Sequence, residues 1–217
     1  MKSKFLSALA VLVGTTIGAG FLGIPYVVSK SGFLIGMIWL VVIAGFMLLI
    51  KLYLGEISLR TKGNHQLTGY AEKYLGKWGK WLMFLSMVFG IYGALFAYLV
   101  AEGSSLSYLI FGNFNHGFIL SLAFWVLMAF LTYMGLAALK KYEKIVMFLV
   151  LAIVLVIIVS FSGRIEISNL NYIGNDLFLP FGVILFSFLA FSAMPEVERI
   201  LLGQEKLMKK VIISGTI

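Results

Sequence analysis

Four glycines and a proline interrupt the first long apolar segment, in the stretch Gly14-Thr-Thr-Ile-Gly-Ala-Gly-Phe-Leu-Gly-Ile-Pro25. Each glycine costs a helix about 1 kcal/mol relative to alanine, and an interior proline costs about 3 kcal/mol. Non-helical backbone at membrane depth is tolerated only where protein buries it or where it lines a cavity. We therefore expect a discontinuous helix whose free N–H and C=O groups bind a small solute. Helix packing is the alternative, because Gly14 and Gly18 form a GxxxG face, and this segment alone does not decide between the two.

A second apolar segment, near the C-terminus, contains the other two prolines. Pro180 stands near its start and Pro195 at its end. Together with Pro25 these are all three prolines of the chain, and the other long apolar segments contain none. Because proline interrupts helices, we expect this segment to be discontinuous as well.

Two facing helix breaks have the chemistry to bind a zwitterion. A half-helix N-terminus exposes N–H groups and about half a positive charge, which suits a carboxylate, whereas a C-terminus exposes carbonyls that suit an ammonium group or Na⁺. Gly18 and Gly20 would let a ligand approach the backbone closely. Four hydroxyls can either add contacts to the ligand or bond back to a carbonyl one turn earlier: Thr15, Thr16, Ser187 and Ser192.

The composition is that of a polytopic membrane protein. The chain has 217 residues, is 61% hydrophobic and 12% charged, and has a mean hydropathy of +1.04. Charge-poor stretches of about 18 residues or more predict six membrane-spanning helices in a single transmembrane domain, namely 5–28, 33–54, 81–101, 118–139, 145–161 and 177–194. The last apolar stretch, 207–217, predicts the start of a seventh.

The distribution of lysine and arginine predicts the orientation. Fifteen of the 17 basic residues fall in the N-terminus and in alternate connections, whereas the opposite connections contain only Lys30 and Arg164. The positive-inside rule therefore predicts a cytoplasmic N-terminus. The net charge of +8 then encodes topology and contact with anionic lipid, not nucleic-acid binding. Lys51 and Glu56, at the inner end of the second span, are expected to reach the interface, which leaves no charged side chain at mid-membrane depth.

Enzymatic and metal sites are not predicted. The chain contains no cysteine, which excludes disulfides, thiol nucleophiles and thiolate metal sites. His65 and His116 fall in connections on opposite sides of the membrane, and no Glu-x-x-His or His-x-x-x-His spacing is present. We therefore predict neither an enzyme nor a cofactor.

The spacing of the two interrupted segments predicts the architecture. Interruptions at corresponding places in two halves are a pointer to the binding site of a transporter. Here the second interruption begins five spans after the first, so a second copy would start on the opposite side of the membrane. The predicted fold is all-α: the first five-helix repeat plus the sixth helix of a 5+5 inverted-repeat transporter, with helices 1 and 6 discontinuous.

The two interrupted segments resemble those of a known family. Gly14-Thr-Thr-Ile-Gly-Ala-Gly with Pro25-Tyr, and Phe186-Ser-Phe-Leu-Ala-Phe-Ser-Ala-Met-Pro-Glu196, are similar to the amino acid permeases of the amino acid/auxin permease branch in the amino acid–polyamine–organocation superfamily. The tryptophan/tyrosine permease-like members resemble the chain over its whole length. The resemblance implies secondary active transport of neutral or aromatic amino acids across the plasma membrane by alternating access, coupled to H⁺ or Na⁺.

The resemblance also implies which residues bind the substrate. The unwound part of helix 1, whose N–H groups would take the carboxylate, is Thr15, Thr16, Ile17, Gly18, Ala19 and Gly20. The unwound part of helix 6, whose carbonyls would take the amino group, is Ser187, Phe188, Leu189, Ala190 and Phe191. By position alone, Tyr92 near the middle of the third span is a further candidate.

Two departures from the family pattern affect these expectations. Family members often have glycine where this chain has Ala190, which implies a milder break in helix 6. The family has ten or eleven spans, and the eighth, which faces helix 1 across an ion site, is absent. The chain is then a fragment or truncated product, which we favour, or two copies associate as a homo-oligomer. A channel, or a non-transporting membrane subunit whose glycines and prolines only pack helices, stays open as an alternative.

Overall fold

A computed structural model describes residues 2–63, 65–133, 149, 152–163 and 166–216. Eight α-helices occur within these residues: α1 Lys2–Ser31, α2 Phe33–Arg60, α3 Leu67–Phe111, α4 Gly117–Tyr133, α5 Ala152–Ser162, α6 Leu179–Phe188, α7 Met194–Leu201 and α8 Met208–Thr216. Three short 3₁₀ segments accompany them, at Ile167–Asn171, Ala190–Ala193 and Glu205–Leu207. The described part of the chain contains no β-strand, in agreement with the all-α prediction.

Three of the described helical segments are long and apolar enough to cross a membrane. They are α2, α3 and the run Leu179–Leu201 that comprises α6 and α7. Shorter apolar helices occupy Lys4–Ile17, Gly117–Tyr133 and Ala152–Ser162. The six predicted spans stay predictions, and parts of the fourth and fifth, at 134–139, 145–148 and 150–151, lie outside the described residues.

The chain divides into two compact units. The first comprises Met1–Met83 with Glu166–Ile217, and the second comprises Phe84–Ile165. The helix α3 contributes to both, and it bends at Gly76, whose φ of 72° is a left-handed conformation that favours glycine.

In the first unit, α1 packs against α2, α6, α7 and α8. One apolar cluster joins Ala8 and Leu12 of α1 to residues of the C-terminal segment: Ala190, Met194, Val197, Leu201, Met208, Val211 and Ile212. A second cluster joins α2 to α6 through Ile43, Met47, Ile184 and Phe188. Because lipid is as apolar as these side chains, their close packing rather than the hydrophobic effect holds the helices together.

The turn between α1 and α2 anchors the chain that leads into α6. The Gly174 N–H donates to the Ser31 carbonyl at 3.0 Å. Gly32 has a φ of 98°, and a Cβ there would overlap the Tyr172 carbonyl, so only glycine fits this turn. The indole N–H of Trp39 donates to the Leu177 carbonyl at 2.7 Å. These contacts fix the start of α6 against α1 and α2.

The second unit contains the C-terminal part of α3 together with α4 and α5. The Ser121 hydroxyl on α4 donates to the Leu99 carbonyl on α3 at 2.8 Å. Gly103 allows this approach, because a Cβ there would overlap the Ser121 hydroxyl. Large apolar side chains such as Phe89 and Leu109 are exposed on this unit, which suits contact with lipid.

The prediction that helix 1 is discontinuous is wrong for this structure. The helix α1 is one α-helix from Lys2 to Ser31, and Pro25 lies inside it. A glycine costs only about 1 kcal/mol in a helix, whereas each backbone group left unpaired in an apolar environment costs several kcal/mol. The local penalties therefore do not suffice to unwind the segment.

Helix 6, in contrast, is interrupted as predicted. The helix α6 ends at Phe188, Leu189 has a φ of −67° and a ψ of 24°, and a 3₁₀ turn at Ala190–Ala193 leads into α7. The break is short, because the Leu189 N–H still donates to the Phe186 carbonyl at 3.3 Å. This geometry agrees with the milder break expected from alanine rather than glycine at position 190.

Candidate functional site

The central contact of the candidate site joins α1 to α6. Ser187 is 5% exposed, and its hydroxyl donates to the Thr16 carbonyl at 2.9 Å. The two helices approach closely here because Gly20 has no side chain: a Cβ on it would overlap the Ser187 hydroxyl. Gly23 also lies close to α6, since a Cβ there would stand 2.7 Å from Val183. Glycine therefore admits α6 to α1 at Gly20 and Gly23, whereas Gly14, one of the two residues of the predicted GxxxG packing face, has open space where a Cβ would stand.

The threonine hydroxyls of α1 bond within their own helix. Thr15 donates to the Val11 carbonyl at 2.7 Å, and Thr16 donates to the Leu12 carbonyl at 2.8 Å. For these two residues the structure shows the local alternative, a bond to a carbonyl one turn earlier. Ser187 differs, because its hydroxyl bonds across to α1.

The other predicted residues of α1 lie on the same continuous helix. Ile17 is half-buried, and Gly18 and Ala19 are helical. Because N–H groups within an α-helix bond to carbonyls four residues earlier, this segment has no free N–H donors for a carboxylate in this structure. The predicted role of these N–H groups therefore does not apply to the conformation observed.

The predicted residues of helix 6 occupy three kinds of environment. Phe188 and Ala190 are buried in the two apolar clusters, and Phe191 packs partly buried against the α2–α6 cluster. Leu189, at the break itself, is 38% exposed. The last carbonyls of an α-helix lack N–H partners one turn further on, and at the end of α6 the Phe186 carbonyl accepts the Leu189 N–H instead. The C-terminal end of a helix also carries about half a negative charge, which suits a cationic group.

Tyr92 lies in the second unit, whereas the residues named above lie in the first. It stands on the C-terminal part of α3 and is 69% exposed. Its membership in the site stays a prediction.

Lys51 is a charged residue whose burial the sequence did not predict. Its side chain is completely buried in α2, whereas it was expected to reach the interface. Its ammonium nitrogen donates to the Thr216 hydroxyl at 3.4 Å and lies 5.7 Å from the centre of the Phe188 ring. Glu56, in contrast, is exposed and pairs with Arg60.

The helical spacing of α2 contained the signal for Lys51. The buried residues of this helix recur every three or four positions, at Ile43, Met47, Lys51, Gly55 and Ser58. Such spacing marks one face of a helix, and Lys51 lies in the middle of it. The position of Lys51 near the end of the second predicted span favours an interfacial interpretation instead.

The described residues contain no cluster of three or more histidine, aspartate or glutamate residues that could hold a metal ion.

The chain is α-helical, has segments long enough to cross a membrane, and has an interrupted helix that packs against α1. These features define its class, which is that of the multi-pass membrane proteins. The family follows from the sequence. The profile of the tryptophan/tyrosine permease family matches residues 1–217, so the chain belongs to that family.

Individual relatives are similar to the chain at modest identity. Tyrosine-specific transport system 1 of Haemophilus influenzae is 23% identical over 217 residues, which is 99% of this chain and 54% of that protein. Glutamine transporter 2 of Aliivibrio fischeri is 21% identical over 100% of this chain and 58% of its own length. The low affinity tryptophan permease of Proteus vulgaris is 29% identical over 48% of this chain and 26% of its own length.

The chain thus spans a little over half the length of the relatives that it matches throughout. No solved structure matches it.

Proposed function

We propose that the chain is part of a secondary transporter that moves amino acids, neutral or aromatic, across the plasma membrane by alternating access. The relatives are named as tyrosine, glutamine and tryptophan transport proteins. The observation on which the proposal rests is the interruption of the α6–α7 run at Leu189, beside the contact between Ser187 and Thr16. A membrane helix that gives up regular hydrogen bonding inside the protein indicates a place where a solute binds.

The proposed site lies between α1 and the end of α6. It comprises residues 15–20 of α1 and residues 187–191 of α6 and its break. The carbonyls at the end of α6 bind the ammonium group of the amino acid, because the C-terminus of a helix carries about half a negative charge. The close approach at Gly20 holds α1 against this end of α6.

The remaining features of the proposal concern the whole transporter. The chain supplies the first five-helix repeat and the sixth helix of an inverted-repeat fold in the amino acid/auxin permease branch. Its N-terminus is cytoplasmic, as the asymmetry of lysine and arginine predicts. Transport is coupled to H⁺ or Na⁺, and Tyr92 is a further candidate for the site.

The second candidate is a membrane subunit that transports nothing. One observation favours it: Gly20 and Gly23 have the close helix contacts expected of residues that only pack helices. Such contacts are also needed to position a binding site, so they do not exclude transport. The names of the relatives favour the transporter.

A binding screen tests the proposed function. The purified protein in lipid nanodiscs is heated with each of the twenty amino acids, and the midpoint of thermal unfolding is recorded. We expect at least one neutral or aromatic amino acid to raise this midpoint, and to raise it with the logarithm of its concentration once that exceeds Kd, because a ligand that binds only the folded state stabilises it. Uptake of the same labelled amino acid into proteoliposomes should exceed that into protein-free liposomes. If no amino acid stabilises the protein or enters the liposomes, the subunit interpretation replaces the transporter.

A further inference from the structure

The helix α7 follows the break, and it has two polar contacts to distant parts of the chain. The Tyr70 hydroxyl, in the N-terminal part of α3, donates to the Glu198 carboxylate at 2.6 Å. The Lys4 ammonium donates to the Leu202 carbonyl at 2.7 Å. Leu202 caps the C-terminus of α7, where a helix carries about half a negative charge that suits a cation. Both contacts therefore hold the half of α7 that is farther from the break at Leu189.

The break has the properties of a hinge between α6 and α7. Hinges are residues at the ends of helices and strands that absorb changes in φ and ψ. Leu189 stands between the end of α6 and a 3₁₀ turn, whose hydrogen bonds have poorer geometry than those of an α-helix. On the α6 side of the break, the bond from Ser187 to the Thr16 carbonyl holds the helix to α1. Rotation at Leu189 therefore moves α7 while α6 stays in contact with α1.

The remaining contacts between α7 and α1 are apolar. Val197 and Leu201 are 0% and 1% exposed, and they belong to the cluster that includes Ala8 and Leu12 of α1. Apolar packing has no fixed direction, whereas a hydrogen bond requires a defined distance and angle. The bond between Tyr70 and Glu198 therefore determines where α7 lies more sharply than the apolar cluster does.

We propose that the bond between Tyr70 and Glu198, supported by Lys4, is a latch that holds α7 against α1 and closes the proposed site toward the side of the membrane on which the N-terminus lies. This inference rests on the proposed function and deepens it by assigning residues that regulate access to the site. When the hydroxyl and the carboxylate separate, α7 turns about Leu189, and water and the amino acid reach the break from that side. Tyr70 and Glu198 are positioning residues, because they act on the site through α7.

The reaction of one introduced cysteine with a polar maleimide measures the opening of α7. The chain contains no cysteine, so Val197→Cys supplies its only thiol. Val197 is completely buried, and a maleimide reacts with the thiolate, which forms where water reaches the sulfur. In the full chain in lipid nanodiscs, adding Tyr70→Phe should raise the reaction rate about 10- to 100-fold, the range expected from loss of a hydrogen bond to a charged group.

Variants of the carboxylate relate the effect to the hydrogen bond. Glu198→Ala removes the acceptor and should raise the reaction rate at Val197→Cys as much as Tyr70→Phe does. Glu198→Gln keeps an acceptor oxygen without the charge, so it should raise the rate less than Glu198→Ala, because a hydrogen bond between neutral groups is weaker but present.

Two controls separate movement of α7 from a general loosening of the protein. Ile184→Cys places the thiol on α6, ahead of the break, at a position that is also completely buried, and its reaction rate should be unchanged by Tyr70→Phe. Tyr74→Phe removes a hydroxyl that bonds to Thr61 rather than to α7, and it should leave the rate at Val197→Cys unchanged. Leu201→Cys, buried in the same cluster, serves as the reporter if Val197→Cys elutes as an aggregate.

Transport assays connect the latch to the proposed site. Tyr70→Phe leaves the residues of the proposed site intact, so it should still bind the amino acid that the thermal screen identifies. Proteoliposomes that contain this variant should accumulate less of the labelled amino acid than those with the unmodified protein, because a site that stays open toward one side does not complete the transport cycle. Tyr74→Phe is again the control and should accumulate as much as the unmodified protein.

The outcomes distinguish the two proposals. A faster reaction at Val197→Cys without one at Ile184→Cys, together with reduced accumulation, supports the latch. An unchanged rate at Val197→Cys, an equal increase at Ile184→Cys, or normal accumulation by Tyr70→Phe would overturn the latch, although transport of amino acids stands. If the unmodified protein binds and transports none of the twenty amino acids, the proposed function fails, and a movement of α7 detected by the maleimide then regulates no transport.

Discussion

The hydroxyl of Ser187 donates a hydrogen bond of 2.9 Å to the main-chain oxygen of Thr16, 171 positions earlier in the chain. Both residues lie at the contact between α1 and α6, where Ser187 lies opposite Gly20. In an apolar environment a hydroxyl has few other partners, so an inter-helix bond of this kind orients the two helices as well as stabilising them. The break of α6 begins two residues after Ser187, and the bond therefore holds the last turn before the break against α1.

The first prediction concerns this hydrogen bond. Ser187→Ala should lower the free energy of unfolding by about 0.5–1.5 kcal/mol, the usual net value of one buried hydrogen bond. Ser192→Ala is the matched control, because Ser192 lies in the adjacent 3₁₀ turn but is exposed, and it should change the stability by less than about 0.5 kcal/mol. Denaturant unfolding in detergent micelles measures both. Equal effects of the two variants would show that the bond does not contribute.

The second prediction compares two glycines of α1. Gly14 has open space where a Cβ would stand, whereas a Cβ on Gly20 would overlap the Ser187 hydroxyl. Gly14→Ala should therefore raise the free energy of unfolding by about 0.5–1 kcal/mol, since alanine is the better helix former. Gly20→Ala should lower it by about 1–3 kcal/mol, because the added methyl group forces α1 and α6 apart. The same unfolding measurement decides, and a stabilising effect of Gly20→Ala would contradict the close contact.

The third prediction links Gly20 to the proposed function. Gly20→Leu should abolish uptake of labelled amino acids into proteoliposomes, because the larger side chain displaces the end of α6, which we propose binds the ammonium group. Membrane insertion should be unchanged, since leucine favours an apolar span. Gly14→Leu is the control and should keep uptake, because its side chain would point into open space. Uptake by Gly20→Leu equal to that of the unmodified protein would remove Gly20 from the site.

The sequence predicted the break of helix 6 but not the continuity of helix 1, for a physical reason. At Leu189 the chain leaves the α-helix for a 3₁₀ turn, and Pro195 then stands in the first turn of α7, where a proline is tolerated because the N–H that it lacks would have no partner within the helix. In α1, Pro25 is the single proline and the glycines cost little individually, so backbone hydrogen bonding prevails. The sum of the glycine and proline penalties along a segment therefore does not predict whether its helix breaks. The packing of α6 against Gly20 also contributes, and that packing depends on the fold.

The sequence also predicted Ser187 as a candidate site residue, but it did not predict the burial of Lys51. The motif in helix 6 predicts that Ser187 belongs to the site, and a local bond of its hydroxyl is the alternative. The structure shows a bond from this hydroxyl to another helix. Lys51 was assigned to the interface because long basic side chains near a helix end usually extend toward water. Its burial depends on α8, which begins 157 residues later at Met208 and brings Thr216 to its ammonium group. A contact so distant in sequence is not encoded in the local pattern of α2.

The fourth prediction concerns the turn after α7, outside the membrane-spanning segments. Hydrogen bonds from its own main-chain N–H and from that of Gly203, at 2.6 Å, hold the pKa of the Glu205 carboxyl below its ordinary value. A group whose pKa is lower in the folded state contributes stability above its unfolded pKa of about 4.3 and loses it as the pH falls through the folded value.

This sign predicts the effect of replacing Glu205. The unmodified protein should lose more stability on acidification below about pH 4.3 than Glu205→Gln, whose side chain does not titrate. Glu166→Gln is the control, because Glu166 is exposed and forms no hydrogen bond or ion pair within the described residues, and it should follow the unmodified protein. Unfolding midpoints measured from pH 7 to pH 3 provide the comparison. Parallel curves for all three proteins would contradict the assignment.

The fifth prediction concerns a bond between α3 and α7. The hydroxyl of Tyr70, in the N-terminal part of α3 before the bend at Gly76, donates to the Glu198 carboxylate at 2.6 Å. Tyr70 is buried, and the bond joins residues 128 positions apart. Because α7 directly follows the break at Leu189, this bond holds the second half of the interrupted helix in place. A hydrogen bond to a charged group is worth about 1.5–3 kcal/mol.

A double-mutant cycle isolates the energy of this bond. Tyr70→Phe and Glu198→Gln should each destabilise the protein. Because both variants remove the same interaction, the loss of stability in the double variant should be smaller than the sum of the two single losses by about 1 kcal/mol or more. A second cycle with Tyr70→Phe and Glu196→Gln is the control, since Glu196 lies on α7 but is exposed, and its losses should add. Additive losses in the first cycle would show that the two side chains act independently. In that case the packing of Val197 and Leu201 against α1 and α8, and not the bond to Tyr70, would hold α7 in position.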